Sequence, residues 1–328
     1  ALALHVVSVP AALAQVIPPP PPNPLFPLPL PLSAHQVPRP TNLANFVKDE
    51  AAAVRLGKAF FFDMQAGGDG IVACATCHFH AGADSRLKNQ LNPGILHGAS
   101  TFEVAGPNAV LQPGQFPFHR FANPDDPASP VVFDADDVVS SAGVFKTHFV
   151  DVAPGHAEDI CVQEPDPIWN VAGTKVRRVE PRNTPTVINS IFNFRNFWDG
   201  RASFLFNGVN PVGPRDPAAR VLEVQPDTSV LPVQVAIDNG SLASQAVGPP
   251  GSPFEMSCDG RTFPKIGKKL LSLPPLAKQV VDPTDSVLGA IANSATSAGA
   301  RGISTTYAQM IQAAFQDKWW NSNKVVTF

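Results

Sequence analysis

Tyrosine is almost absent from this 328-residue chain: there is one, Tyr307, beside 22 phenylalanines and 4 tryptophans. Phenylalanine is not easily oxidised, so few phenols stand ready to intercept an oxidising equivalent. Charge is scarce too. Asp, Glu, Lys and Arg make up 16% of the residues, against roughly 25% in ordinary soluble proteins. The formal net charge is only -3, which gives no footing for nucleic acid or for an anionic membrane surface. No apolar run reaches the roughly 20 residues that cross a bilayer. There is no internal repeat, and no sustained alternation of apolar and polar residues that would announce a large sheet. Proline is what the chain has in excess. Its 36 residues are about twice the usual share of roughly 5%, so many turns and long irregular connections are expected.

The chain opens on ALALHVVSVPAALAQ, an apolar run closing on Ala12-Leu13-Ala14. Small residues in that pattern mark a secretory cleavage site, so residues 1–14 read as the remnant of a signal peptide and the protein as periplasmic or otherwise exported. Residues 15–40 are a proline-rich arm or linker, since proline removes donors and fixes φ. Order is expected from Thr41. The stretch TNLANFVKDEAAAVRLGKAFFFDMQ has good helix formers, with Ala53, Leu56 and Phe60 on one face. From 79 to about 180 the sequence is rich in turn signals and reads as loop. In TPTVINSIFNFRNFWDGRASFLF, residues 184–206, Ile188, Phe192 and Phe197 are core candidates. FPKIGKKLLSLPPLAKQVV and TTYAQMIQAAFQDKWW read as amphipathic helices. The fold class expected is mainly α, with long irregular loops.

The chemistry concentrates in VACATCHFHAG. Cys74 and Cys77 stand three positions apart with His78 directly after them. Two thiols at that spacing can each add to a vinyl group on one porphyrin edge, leaving the histidine under the ring to ligate iron. A zinc site would need a second ligand pair at finger-like spacing, which is missing. A thioredoxin-type pair would need a βαβ context, also missing. One covalent c-type haem is therefore expected. His80 is too close to cap the opposite face, and His97, His119, His148 and His156 are the candidates in chain order for a distal ligand. A vacant distal face would admit peroxide or dioxygen; a second strong ligand would restrict the iron to electron transfer. Cys161 and Cys258 remain, and in an exported chain they are expected to pair.

Three stretches resemble a known family, the bacterial di-haem cytochrome c peroxidases and their relatives, which include MauG and the rubber oxygenases. They are LGKAFFFD with GDGIVACATCH, then RNTPTVINSIFNFRNFWDGRA at 182–202, then SLASQAVGPPGSPFEM at 241–256. The resemblance implies that 41–328 is an N-terminal peroxidase-type cytochrome c domain carrying an insertion at 79–181. Cys74, Cys77 and His78 match the attachment site and proximal ligand of the peroxide-reacting haem. Trp198 matches the tryptophan that relays electrons between two haems. Gln245 and Glu255 match the pair on the distal side, with the glutamate as acid/base. Asn183 matches a side-chain ligand of a calcium ion between the domains. The family's second CxxCH, in a C-terminal haem domain, has no counterpart before the chain stops after AAFQDKWW. No histidine stands just before Arg182-Asn183, which favours an open distal face.

The function expected is an exported haem oxidoreductase, a peroxidase drawing electrons from a small donor protein such as a cytochrome c or a cupredoxin. Two other readings compete: an oxygenase cleaving an apolar substrate, and a mono-haem electron-transfer or structural subunit of a larger assembly. A second haem domain or another subunit is the expected partner.

Overall fold

Helices are short among the described residues, thirteen residues at most, and long irregular connections separate them. A computed structural model describes residues 30–31, 34–79, 83–95 and 100–323. It divides into two units, Ala1–Val37 and Pro38–Phe328. The signal-peptide remnant and most of the proline-rich arm lie outside the described residues, as do His80 and His97.

The expectation of a mainly α fold is not met. Helix accounts for 24% and strand for 17% of the structure. Among the described residues there are five α-helices: α1 (Glu50–Phe62), α2 (Cys74–His78), α3 (Ser241–Ala246), α4 (Phe263–Leu271) and α5 (Tyr307–Ala314). Among its described residues, the stretch read as loop instead carries eight short strands. They are β1 (Leu91–Asn92), β2 (His119–Phe121), β3 (Val131–Asp134), β4 (Val138–Val139), β5 (Thr147–Val152), β6 (Asp159–Gln163), β7 (Asn170–Val171) and β8 (Thr174–Lys175). A ninth and tenth, β9 (Val221–Val224) and β10 (Val230–Val233), form a later hairpin. Every named pairing is two-stranded and antiparallel. Half of these strands are shorter than the four-to-eight-residue alternation by which a strand is recognised in sequence, and none exceeds six residues.

The helices that were expected do form. Asp49 caps α1 by accepting from the Ala52 amide at 2.9 Å. Thr306 caps α5, with Gln309 reaching back to the Thr306 amide at 3.0 Å, a reciprocal arrangement that satisfies two otherwise orphaned donors. Leu56 of α1 packs at the edge of a core formed by Ala59, Leu276, Leu288, Ile303 and Met310. Leu56 also packs, with Phe60, against the neighbouring cluster of Ile266, Leu270 and Tyr307. The reading of 184–206 as core is corrected. Ile188 and Phe192 are exposed, and Phe197 is only partly covered, with the Arg201 guanidinium 3.8 Å above its ring. These residues are apolar, but they lie on the surface of the unit rather than inside it.

Candidate functional site

The turn that presents the cysteines is held from outside. Four carbonyls of the Ala66–Gly70 loop are each taken by a donor distant in sequence. Arg261 donates to Ala66 O at 2.6 Å, Lys269 to Gly67 O at 2.8 Å, the Asp159 amide to Gly68 O at 2.8 Å, and Lys278 to Gly70 O at 2.8 Å. Asp159 in turn pairs with both Arg261, at 2.8 Å, and Lys269, at 2.9 Å, and all three side chains are fully buried. The loop can come this close because it is glycine. A Cβ on Gly68 would sit 3.1 Å from the Cys258 amide and 3.2 Å from its sulfur. Asp69 then accepts from the Ile71 and Val72 amides at 2.9 Å each, while Arg177 pairs with its other oxygen at 2.7 Å.

Out of this loop comes α2, one and a half turns long. Cys74 and Cys77 lie one turn apart, and His78 follows on the same side at helical spacing. Both thiols are free. Cys74 packs with Phe60 against Ala66, Val72, Val144 and Met256, and burial pushes its thiol up to about 12. Burial also raises Cys77, opposed by Arg86 and Ser141. Arg86 Nη2 lies 3.7 Å from Cys77 Sγ and is itself gripped by Asp84 at 2.6 Å. The Phe61 ring lies 6.5 Å from that of His78. A cleft of about 380 Å³ borders α2, lined by Ala75, Thr76, Phe79 and Arg86 among others and not by the cysteines or His78.

Glu255 belongs to this surround. It is partly covered, and its carboxyl is raised to about 7, by burial first and by the neighbouring Glu180 second, with Ser252, Arg201 and Arg182 pulling the other way. Glu180 is raised as well, again by burial, against Arg182, Arg201 and Arg178. The charge of Glu255 contributes to the upward shift of both thiols. Its backbone is fixed by segment 142–144. The Val144 amide donates to Phe254 O at 3.4 Å, and a Cβ on Gly143 would collide with the carbonyls of Phe254 and Glu255, so only glycine fits there. The bridge from β6 is covalent: Cys161 and Cys258 form the expected disulfide across 97 residues.

The other expected residues are more dispersed. Gln245 sits on α3, half-buried. Trp198 is 76% exposed, on the segment that also exposes Ile188, Phe192 and Phe194. Asn183 is exposed and spends its side-chain amide on Val139 O at 2.9 Å. Among the described residues no group of three or more His, Cys, Asp or Glu side chains gathers to hold a metal, so no carboxylate cage for calcium forms around Asn183. Of the distal histidine candidates, His119 pairs with Asp134 at 2.9 Å on the β2–β3 hairpin. His148 and His156 are exposed as well.

Sequence reasoning passed over several residues that build the site. Glu180, Arg182 and Arg201 set the electrostatics of Glu255, and the last two sit inside the quoted stretches 182–202 as unremarked cations. Met256 touches Cys74. Asp63, fully buried, accepts from the Tyr307 hydroxyl at 2.8 Å, from the Leu276 amide at 2.9 Å and from Gln65. The lone tyrosine is thus a buried donor to a carboxylate, and burial with Asp63 holds its phenol well above the ordinary range.

Two free thiols one turn apart, an adjacent histidine and an apolar wall at Cys74 form the donor set of a c-type haem protein, and the residues present fit that group. The comparison with family models gives the same class. The model described as di-haem cytochrome c peroxidase matches residues 51–143 and 156–327. The chain belongs to the di-haem cytochrome c peroxidase family, a family of haem oxidoreductases that carry c-type haem. No curated protein and no solved structure gives a significant match.

Proposed function

We propose that this chain is the peroxide-reacting haem domain of an exported peroxidase, with electrons supplied by a small redox protein. Cys74 and Cys77 would hold the haem through thioethers and His78 would ligate its iron, which supplies the electron-transfer chemistry when bound. Everything else falls to the chain. Cleaving an O–O bond needs a proton taken from one oxygen and delivered to the other, and Glu255 is the group suited to it. Its carboxyl, held at about 7, sits where both protonation states are populated near neutral pH, which is where a general acid/base works best. That raised carboxyl beside the attachment turn is the observation that carries the proposal.

Arg182 and Arg201 favour the charged forms of Glu255 and Glu180, against burial. Gln245 would orient peroxide or a water. Trp198, exposed among apolar neighbours, suits an electron entry point facing a second haem domain or a donor protein. The Cys161–Cys258 disulfide supports export, because such bonds persist in oxidising compartments. Among the described residues no helix is long and apolar enough to cross a membrane.

The test is peroxide-dependent oxidation of a reduced small cytochrome or cupredoxin by the haem-loaded protein. Two donor electrons consumed per peroxide support the proposal. Oxygen uptake with a polyisoprene and no peroxide-dependent donor oxidation would replace it with the oxygenase reading.

A further inference from the structure

Tyr307 is the only tyrosine among the 328 residues, and it is 3% exposed. Its hydroxyl donates to Asp63 Oδ2 at 2.8 Å. Asp63 is fully buried, and among the described residues none of its partners is a cation. The Gln65 amide donates to Oδ1 at 2.9 Å, and the Leu276 amide and the Gln65 side chain donate to Oδ2 at 2.9 and 3.2 Å. A carboxylate buried without a cation is costly, and part of its support here comes from a strained turn. Leu276 has φ +57°, a left-handed backbone that side-chain-bearing residues seldom adopt. Conformations of that kind persist where the surroundings over-determine them, and they gather at functional sites.

A phenol gives up an electron readily only if its proton leaves with it, because the radical cation is a strong acid. Tyr307 has the base in place. The tryptophans do not. Trp169 is buried, and its Nε1 has no hydrogen-bond partner among the described residues. Trp319 and Trp320 donate to the carbonyls of Asn45 and Phe315 at 2.8 and 3.2 Å, and a peptide carbonyl does not take a proton. Trp198 is exposed, with water as its proton acceptor. Tyr307 also lies close to the attachment turn. Phe60 packs both on the cluster of Ile266, Leu270 and Tyr307 and on the cluster that Cys74 lines, and Cys74 is near enough to act electrostatically on the phenol.

We infer that Tyr307 and Asp63 are a redox pair serving the haem held at Cys74 and Cys77, an inference that rests on the peroxidase function proposed for the chain. Tyr307 gives one electron to the peroxide-oxidised haem. Its O–H bond breaks, and the proton crosses the 2.8 Å hydrogen bond to Asp63 Oδ2. A neutral phenoxyl radical is left beside a neutral carboxylic acid. The pair thus passes from one buried negative charge to none, which an interior without a neighbouring cation favours. An electron from the small donor protein reverses the step, and the proton returns to the phenoxyl oxygen. One oxidising equivalent is held inside the protein, away from solvent, until the donor arrives.

Freeze-quench electron paramagnetic resonance of the haem-loaded chain after addition of hydrogen peroxide tests it. Because the chain has one tyrosine, ring-deuterated tyrosine labels Tyr307 alone and needs no substitution. The expected result is an organic radical whose hyperfine splitting collapses on that labelling, and which is lost in Tyr307→Phe and in Asp63→Asn. A radical indifferent to the label belongs to tryptophan and overturns the inference. So does consumption of peroxide with no organic radical, or an undiminished radical in folded Asp63→Asn. A loaded chain that leaves peroxide intact fails the peroxidase function instead. The pair is then read by pulse radiolysis with azidyl radicals, which oxidise tryptophan. Tyrosyl absorbance that grows as tryptophanyl decays upholds it, and tryptophanyl that persists overturns it.

Discussion

Cys74 Sγ lies 4.0 Å from Met256 Sδ, so the residue after Glu255 is packed against the first thiol of the attachment turn. Their backbones are tied as well, through the Gly68 amide donating to Met256 O at 2.7 Å. The segment that carries Glu255 and the loop that leads to the thiols are therefore packed and hydrogen-bonded together. The backbone at Glu255 is thus held by packing, by the Gly143 contact and by the Cys161–Cys258 bond.

Haem should be attached covalently. Cys77→Ala should leave haem loosely held or absent, with acid acetone extracting whatever remains, while the parent retains its haem and shows a c-type pyridine haemochrome. Haem that acid acetone extracts from the parent would contradict the attachment.

The buried triad should be indispensable to the fold. Asp159→Ala strands the Arg261 and Lys269 cations, both fully buried. Removing one partner of such a group costs about 3–5 kcal/mol. Urea unfolding of the variant should show a loss of that size. A loss under about 1 kcal/mol would mean that water reaches the two cations.

Much of the site was legible in the sequence because its signals are local. CxxCH needs only five consecutive residues, and the pairing of Cys161 with Cys258 followed from export and elimination. α1, α4 and α5 were legible because each offers a clear apolar face. The short hairpins of 79–181 were not: two to six residues between turns carry too little alternation to be seen. Nor was the exposure of Ile188 and Phe192, since an apolar residue at the surface reads the same as one in the core. Glu180, Arg182 and Arg201 were missed for a different reason. Their role lies in what they do to Glu255 across the fold, and no spacing in the chain announces it.

The disulfide should contribute substantially. Cys161→Ser closes off a loop of 97 residues no longer, and losing a native disulfide costs about 2–5 kcal/mol. Alkylation of the unreduced parent, read by mass spectrometry, should leave Cys161 and Cys258 unmodified. Modification of both without reductant would rule the bond out.

The raised carboxyl of Glu255 gives stability a pH dependence of known sign. Its value is about 7 folded against 4.5 ordinarily, so the folded chain keeps a proton that the unfolded chain releases. That favours folding below about pH 4.5, and the advantage is lost as pH rises through 7. Glu255→Gln, always neutral, should match the parent at acid pH and exceed it in stability above pH 7. Denaturant midpoints of the two at pH 5 and pH 8 decide the point; a difference independent of pH would contradict it.

The most direct measurement is stopped-flow reaction of the haem-loaded protein with hydrogen peroxide. General acid/base groups contribute about 10²–10⁴-fold, so Glu255→Gln should keep its haem and fold yet react slower by a factor in that range. Gln245→Ala should lose less, because water can take over part of its role. Trp198→Phe should leave this first reaction untouched and slow only later electron delivery. Reaction of Glu255→Gln at the parent rate would contradict the account at its centre and remove Glu255 from the chemistry.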